Sequence, residues 1–407
     1  MTPDTRFPSI FVRNVNGSAS RVDGVSTPEI RIPKDLLPLD GRFGCGPSKV
    51  RVESLAALAG TGSSFLGTSH RQDPVKNMVG QLRNGLREFF GLPDGYEVVL
   101  GNGGATTFWD IATFGLINSK SQHLVCGEFS SKFAEAARNA PHLAVPHVIE
   151  SPAGTRPHAV AKAGVDTYCL VHNETSTGVA MEIVRPSGTS AANDELVVVD
   201  ATSGAGGLAV DPTAFDCYYF APQKCFASDG GLWVALCSPS ALDRIANISA
   251  SKRWIPASLD LAMALDNSTR NQTYNTPALA TIFLFVQQLE WMNNQGGLNW
   301  AAARCAESAS IIYQWADARS FATPFVADPV DRSNVVATID LEGVDANVVS
   351  AVLRANGIVD TDSYRKLGRN QLRIAMFPAI DPEDIRALTT CIDYVVAELG
   401  VTALPAP

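Results

Sequence analysis

The chain has 407 residues, 46% hydrophobic and 18% charged, which suits a folded soluble protein with one large domain and a smaller one. A net charge of -9 without a lysine or arginine run argues against nucleic acid and anionic membrane as partners. The 8 cysteines are scattered through apolar runs with no C-x-x-C pair, which speaks against a disulfide frame or a bound metal and for buried thiols in a reducing compartment.

Residues 1–40 carry several prolines, Gly17 and Gly24 with little periodicity, so a loosely ordered start followed by an extended arm is expected. No apolar signal-peptide core is visible in this stretch. A large domain is expected over 41–293 and a small one over 294–407. Phe43-Gly-Cys-Gly-Pro-Ser-Lys49 has the glycines of a loop that approaches something closely, an entrance loop to a site or a simple turn. In Phe65-Leu-Gly-Thr-Ser-His-Arg71, His70 and Arg71 form a candidate anion trap. Val75 to Phe90 has the spacing of an amphipathic helix.

Tyr96 to Leu100 reads as a strand, then Gly101-Asn-Gly-Gly-Ala-Thr-Thr107 and an apolar helix from Phe108 to Ile117. A glycine turn running into a helix N-terminus is a phosphate cradle, and Thr106 breaks the G-x-G-x-x-G dinucleotide spacing. His123 to Glu128 reads as a strand with Phe129 at its end, where a flat ring can stack on a cofactor or simply fill the core. Thr167 to His172 is another strand, with the Thr175 hydroxyl in the loop after it. Glu195 to Asp200 is a buried-type strand that puts Asp200 at its carboxyl end. The aromatic run Cys217 to Ala221 stops at Pro222, and Gln223 and Lys224 precede Gly230-Gly231 and a further strand, Leu232 to Cys237. Strands separated by helical stretches predict an α/β fold with a largely parallel sheet and functional loops at the carboxyl ends.

Asn271-Gln-Thr-Tyr-Asn-Thr-Pro277 leads into a buried helix too short in its apolar centre to span a bilayer, so a cytoplasmic protein is expected. Beyond Gly296 come a helix (Trp300 to Asp317), a strand (Val335 to Leu341), a helix (Ala346 to Asn356), a strand (Leu372 to Met376) and a helix (Glu383 to Glu398). This is a small α+β domain. Arg365, Arg369 and Arg373 cluster where its last strand begins, a candidate clamp for a substrate anion.

Two residues carry the chemistry. Lys224, flanked by apolar residues at a strand end, is placed for Schiff-base chemistry through a lowered pKa. Asp200 before it completes the polar set of a pyridoxal phosphate site, in which a carboxylate keeps the pyridine nitrogen protonated. The order Asp200, Pro222-Gln223, Lys224 resembles the class V aminotransferases. With FGCGPSKVR, Ser69-His-Arg71, NGGAT, Asn173-Glu-Thr175, Asn275-Thr-Pro277 and YRKLGRNQLR, the chain from Gly41 to about Leu399 resembles the phosphoserine aminotransferase family, in its actinobacterial-type branch.

That resemblance implies the type I fold of pyridoxal phosphate-dependent transferases. It implies a homodimer that moves the amino group of glutamate to 3-phosphohydroxypyruvate, a serine-biosynthesis step with a possible side role in pyridoxine synthesis. Lys224 would hold the cofactor aldehyde and carry the proton shift, Asp200 would pair with the ring nitrogen and Thr175 with the ring oxygen. Phe129 would stack on the ring. Gly104, Ala105, Thr106 and Gln223 would hold the cofactor phosphate together with Asn275 and Thr276 of the partner subunit. Arg373 would take the substrate carboxylate, and His70, Arg71 and Arg365 its phosphate. Many family members have tryptophan at Phe129 and arginine at Ala105; Lys366 or Arg369 would make good the second change. The alternative is a serine– or alanine–glyoxylate aminotransferase. Cysteine desulfurase fits less well, since no cysteine stands in a flexible loop.

Overall fold

The computed structural model describes residues 28–401, so the loose start expected for the N-terminal arm falls outside the described residues. The helices are α1 (Val52–Gly60), α2 (Asp73–Phe90), α3 (Ala105–Gly115), α4 (Glu128–Asn139), α5 (Pro239–Ala250), α6 (Leu261–Thr269), α7 (Leu279–Gln295), α8 (Gly297–Asp317), α9 (Ala346–Ala355) and α10 (Pro382–Glu398). The strands are β1 (Glu97–Asn102), β2 (Ser121–Val125), β3 (His147–Glu150), β4 (Thr167–Val171), β5 (Asn173–Glu174), β6 (Val179–Ala180), β7 (Leu196–Asp200), β8 (Cys217–Phe220), β9 (Leu232–Cys237), β10 (Ala322–Pro324), β11 (Val336–Leu341) and β12 (Gln371–Ala375).

A seven-stranded sheet in the order β1-β9-β8-β7-β4-β2-β3 forms the centre. Its strands run parallel except β9, which is antiparallel to both β1 and β8. Strands β2, β4, β7, β8 and β9 are buried along their whole length, as strands covered by helices on both faces must be. Because β1, β2, β4, β7 and β8 point the same way, their carboxyl ends share one edge. That edge carries Gly104, Phe129, Thr175, Asp200 and Lys224 in the connections that leave it. One supporting helix shows the local logic. Pro74 opens α2, Gly91 closes it in the left-handed region (φ 56°), and Val75, Val79, Leu82, Leu86 and Phe90 form the buried stripe that packs against α7.

The sheet β10-β11-β12 is antiparallel and packs with α8, α9 and α10 around a second core. Ile32, Phe43 and Cys45 join that core, and Arg42 bridges to Val359. The Ala375 amide donates to the Phe43 carbonyl (3.0 Å). The arm before Gly46 is therefore a fixture of the smaller core that reaches across to Lys224.

Two of the element boundaries that differ from expectation lie at the site. The helix after the glycine turn starts at Ala105, three residues before Phe108, because Gly104 is extended and already serves as its N-cap. The strand expected over His123 to Glu128 ends at Val125. The amides of Cys126 and Gly127 donate to the Ser130 hydroxyl instead of to a neighbouring strand, and α4 begins at Glu128. Phe129 consequently stands on the first turn of a helix. Among the described residues, no helix is long and apolar enough to cross a membrane.

Candidate active site

Lys224 leaves β8 through Ala221-Pro222-Gln223 and is held from both sides. The Ser48 amide donates to the Gln223 carbonyl (2.9 Å) and the Ser48 hydroxyl to the Lys224 carbonyl (2.7 Å), while the Lys224 amine donates to the Cys45 carbonyl. The side chain is only 8% exposed. Burial, with the Arg373 charge adding to it, brings its pKa down to about 8. Gly46 gives it room. A Cβ there would stand 2.3 Å from the amine, and Gly46 is at φ 136°, so no other residue fits.

Asp200 at the end of β7 is buried, lines the cavity and accepts four hydrogen bonds. Oδ2 takes the Trp109 indole N–H (3.0 Å) and the Tyr219 hydroxyl (3.0 Å). Oδ1 takes the Thr202 amide (3.0 Å) and hydroxyl (2.7 Å). Four donors hold the carboxylate in one orientation.

Between them lies a cavity of about 290 Å³ whose walls include Gly104, Ala105, Thr106, Phe129, Thr175, Asp200, Gln223 and Lys224. Gly104 supplies no side-chain cap, so the first amides of α3 have no acceptor of their own at this end of the cavity. Among the described residues, Gln223 Oε1 and Asn173 Oδ1 on the cavity wall, and Arg373 Nε outside its lining, are buried without partners. Thr175 donates to the Ser203 hydroxyl (2.8 Å), and Arg373 reaches the Thr175 carbonyl (3.4 Å) with its guanidinium 5.3 Å from the Tyr364 ring centroid. A cavity with a low-pKa amine, a fixed carboxylate, a helix N-terminus and unpartnered polar groups can hold a flat aldehyde that carries a phosphate.

The remaining candidates lie outside that cavity within the chain. His70 and Arg71 meet the 272–276 loop: His70 Nδ1 is 3.2 Å from the Thr276 hydroxyl, and Arg71 donates to Gln272 Oε1 (3.0 Å). Asn275 and Thr276 are exposed, with the Thr276 carbonyl accepting from Asn102 Nδ2 (2.7 Å) at the end of β1. Arg365 is exposed on a short turn, and beside it Lys366 pairs with Glu128. Arg369 is committed to Asp340 (Nε to Oδ1 3.0 Å) and lies 4.5 Å from the Phe325 ring centroid. The donors to Asp200 were not foreseen. Trp109 stands one helical turn after Ala105, and that spacing from the glycine cradle was the only sequence signal for it.

Residues 51–361 match the family model described as Aminotransferase class-V. The chain is 63% identical over 374 residues to a phosphoserine aminotransferase of Nocardioides sp., covering 92% of this chain and 100% of that one. It is 60% identical over 370 residues to a phosphoserine aminotransferase of Rhodococcus jostii, covering 91% and 98%. The crystal structure of a phosphoserine aminotransferase from Cytophaga hutchinsonii shares the fold, with a TM-score of 0.79 at 24% identity over 87% of this chain and 99% of that one. The chain belongs to the class V aminotransferases and, within them, to the phosphoserine aminotransferase family.

Proposed function

We propose that the protein is a cytoplasmic homodimer that uses pyridoxal phosphate to move the amino group of glutamate to 3-phosphohydroxypyruvate, yielding O-phosphoserine and 2-oxoglutarate for serine biosynthesis. The observation that carries the chemistry is the joining of Lys224 and Asp200 in one buried cavity. The choice of acceptor is supported by identities of 57–63% across nearly the whole length of relatives that bear the phosphoserine aminotransferase name. The cavity suits the cofactor on its own chemistry. Gln223, Ala105, Thr106 and the amides after Gly104 would hold its phosphate, Thr175 its ring oxygen and Asp200 its ring nitrogen, with Phe129 against the ring face. When bound, the cofactor supplies the aldehyde that takes up the amino group and a ring that spreads the charge left when the α-proton departs.

The chain's own residues do the rest. Lys224, its pKa brought down by burial to about 8, gives up and takes back protons at its amine more readily than an ordinary lysine. Asp200 keeps a proton on the ring nitrogen, and Trp109, Tyr219 and Thr202 keep Asp200 aimed. Arg373 orients the substrate through the carboxylate on its α-carbon, using the Nε that has no partner among the described residues. His70, Arg71 and Arg365 supply cations for the phosphate of the acceptor. Asn275 and Thr276 are exposed and outside their own chain's cavity, which supports a role at the phosphate end of the partner's site.

Half-reactions followed by single-turnover absorbance test this assignment. Arg71→Ala and Arg365→Ala should each slow the phosphohydroxypyruvate half by about tenfold to a hundredfold and the glutamate half much less. Arg373→Ala should slow both halves, since both substrates carry the α-carboxylate. Equal losses in both halves for Arg71→Ala would remove that residue from phosphate recognition.

A further inference from the structure

Asn173 and Thr175 face the cavity, but the residue between them turns away from it. Glu174 is completely buried. Among the described residues no lysine or arginine pairs with it, so this carboxyl group is satisfied by hydrogen bonds alone. They are numerous. Oε2 accepts from the Ser130 amide (2.9 Å) and hydroxyl (2.8 Å). Oε1 accepts from the Ser176 hydroxyl (2.6 Å), the Ser176 amide (3.2 Å) and the Phe129 amide (3.4 Å). Two of these donors are first-turn amides of α4, whose N-cap residue, Gly127, has no side chain to offer. The carboxylate occupies the space a side chain at Gly127 would need: a Cβ there would lie 2.5 Å from Glu174 Cγ.

A carboxylate from β5 thus replaces the missing cap of α4, where the helix dipole favours it. The two elements that it ties each place a wall on the same cavity, Phe129 and Ser130 from α4 and Thr175 from the segment after β5. Burying a carboxyl group is costly even when it is hydrogen-bonded, and a packed apolar residue would hold two elements together at less cost. What the carboxylate adds is direction, since each donor fixes an angle as well as a distance.

We infer that Glu174 is a positioning residue that locks Phe129 against Thr175 and so sets the width of the cofactor cavity. This rests on the cavity being the pyridoxal phosphate site. Glutamine at this position keeps the volume but leaves one acceptor oxygen, so its NH2 group must face either the Ser130 amide or the amides of Phe129 and Ser176. The test measures pyridoxal phosphate dissociation by absorbance titration, and the visible circular dichroism of the bound cofactor, for the full-length wild type, Glu174→Gln, Phe129→Ala and the double variant. Glu174→Gln should raise the dissociation constant about tenfold to a hundredfold and weaken the dichroic band. The double variant should bind about as the weaker single variant does, because both changes act through one contact. Wild-type affinity in Glu174→Gln, or losses that simply multiply in the double variant, would overturn the inference. A wild type that binds no pyridoxal phosphate would instead overturn the reading of the site. Should Glu174→Gln not fold, Ser176→Ala poses the same question from outside the cavity lining, with a severalfold weaker affinity expected and an unchanged one contradicting it.

Discussion

Replacing Asp200 by asparagine separates the charge of this side chain from its shape. Each carboxylate oxygen now accepts two hydrogen bonds, from Trp109 and Tyr219 on Oδ2 and from the Thr202 amide and hydroxyl on Oδ1. The Tyr219 and Thr202 hydroxyls can rotate to accept, but the Trp109 indole and the Thr202 amide can only donate. Whichever way the new amide is turned, one of those two donors faces an NH2 group. The expected stability loss is about 1–3 kcal/mol, the cost of one unsatisfied buried donor, so the variant should still fold. The rate should suffer more. Losing the anion opposite the ring nitrogen removes a preorganised electrostatic contact of the kind that contributes about 2.7–4 kcal/mol, or 10²- to 10³-fold. Single-turnover absorbance with glutamate reads the rate of the first half-reaction, and a thermal melt of the same sample reads stability. A normal melt with less than about tenfold loss of rate, roughly 1.4 kcal/mol, would refute the electrostatic role.

Lys224 predicts a pH signature. Burial holds its pKa at about 8 in the fold, against 10.5 for an ordinary lysine. Between these values the unfolded chain keeps a proton that the native chain has lost, so cofactor-free stability should rise with pH from about 8 to 10.5. Lys224→Met should lose that rise and be the more stable protein below pH 8, by about 3 kcal/mol at most; parallel urea unfolding curves for the two at every pH would contradict this. The same variant should be colourless or nearly so and inactive, as absorbance and turnover would show. Sedimentation at assay concentration should find a two-fold dimer as the smallest active form, and a fully active monomer would remove Asn275 and Thr276 from the partner's site.

What the sequence displayed most clearly was whatever is written in a continuous run. The strands that carry Asp200 and Lys224 are unbroken apolar segments ended by a charged residue or a proline, and both residues stand where such runs place them. Helices α5 and α6 and the short strands β3 and β10 were not anticipated, because short segments with mixed polarity carry little periodic signal. Donors that act on Asp200 come from α3, β8 and the loop after β7, and only the pairing of β7 with β8 brings Tyr219 opposite Asp200. The pairing of His70 with Thr276 was equally hidden, since it joins positions 206 residues apart. Position along the chain showed which residues are reactive. It did not show which residues hold them still.

The central claim is the identity of the amino-group acceptor, and a direct competition among acceptors tests it. With glutamate as donor, steady-state kcat/KM would be measured for 3-phosphohydroxypyruvate, glyoxylate and pyruvate. The phosphorylated acceptor should be preferred by about a hundredfold or more, since it can engage two or more charge-assisted contacts of roughly 1.5–3 kcal/mol each that the other two lack. Glyoxylate or pyruvate used as well as 3-phosphohydroxypyruvate would contradict the account and place the protein among the glyoxylate or general aminotransferases.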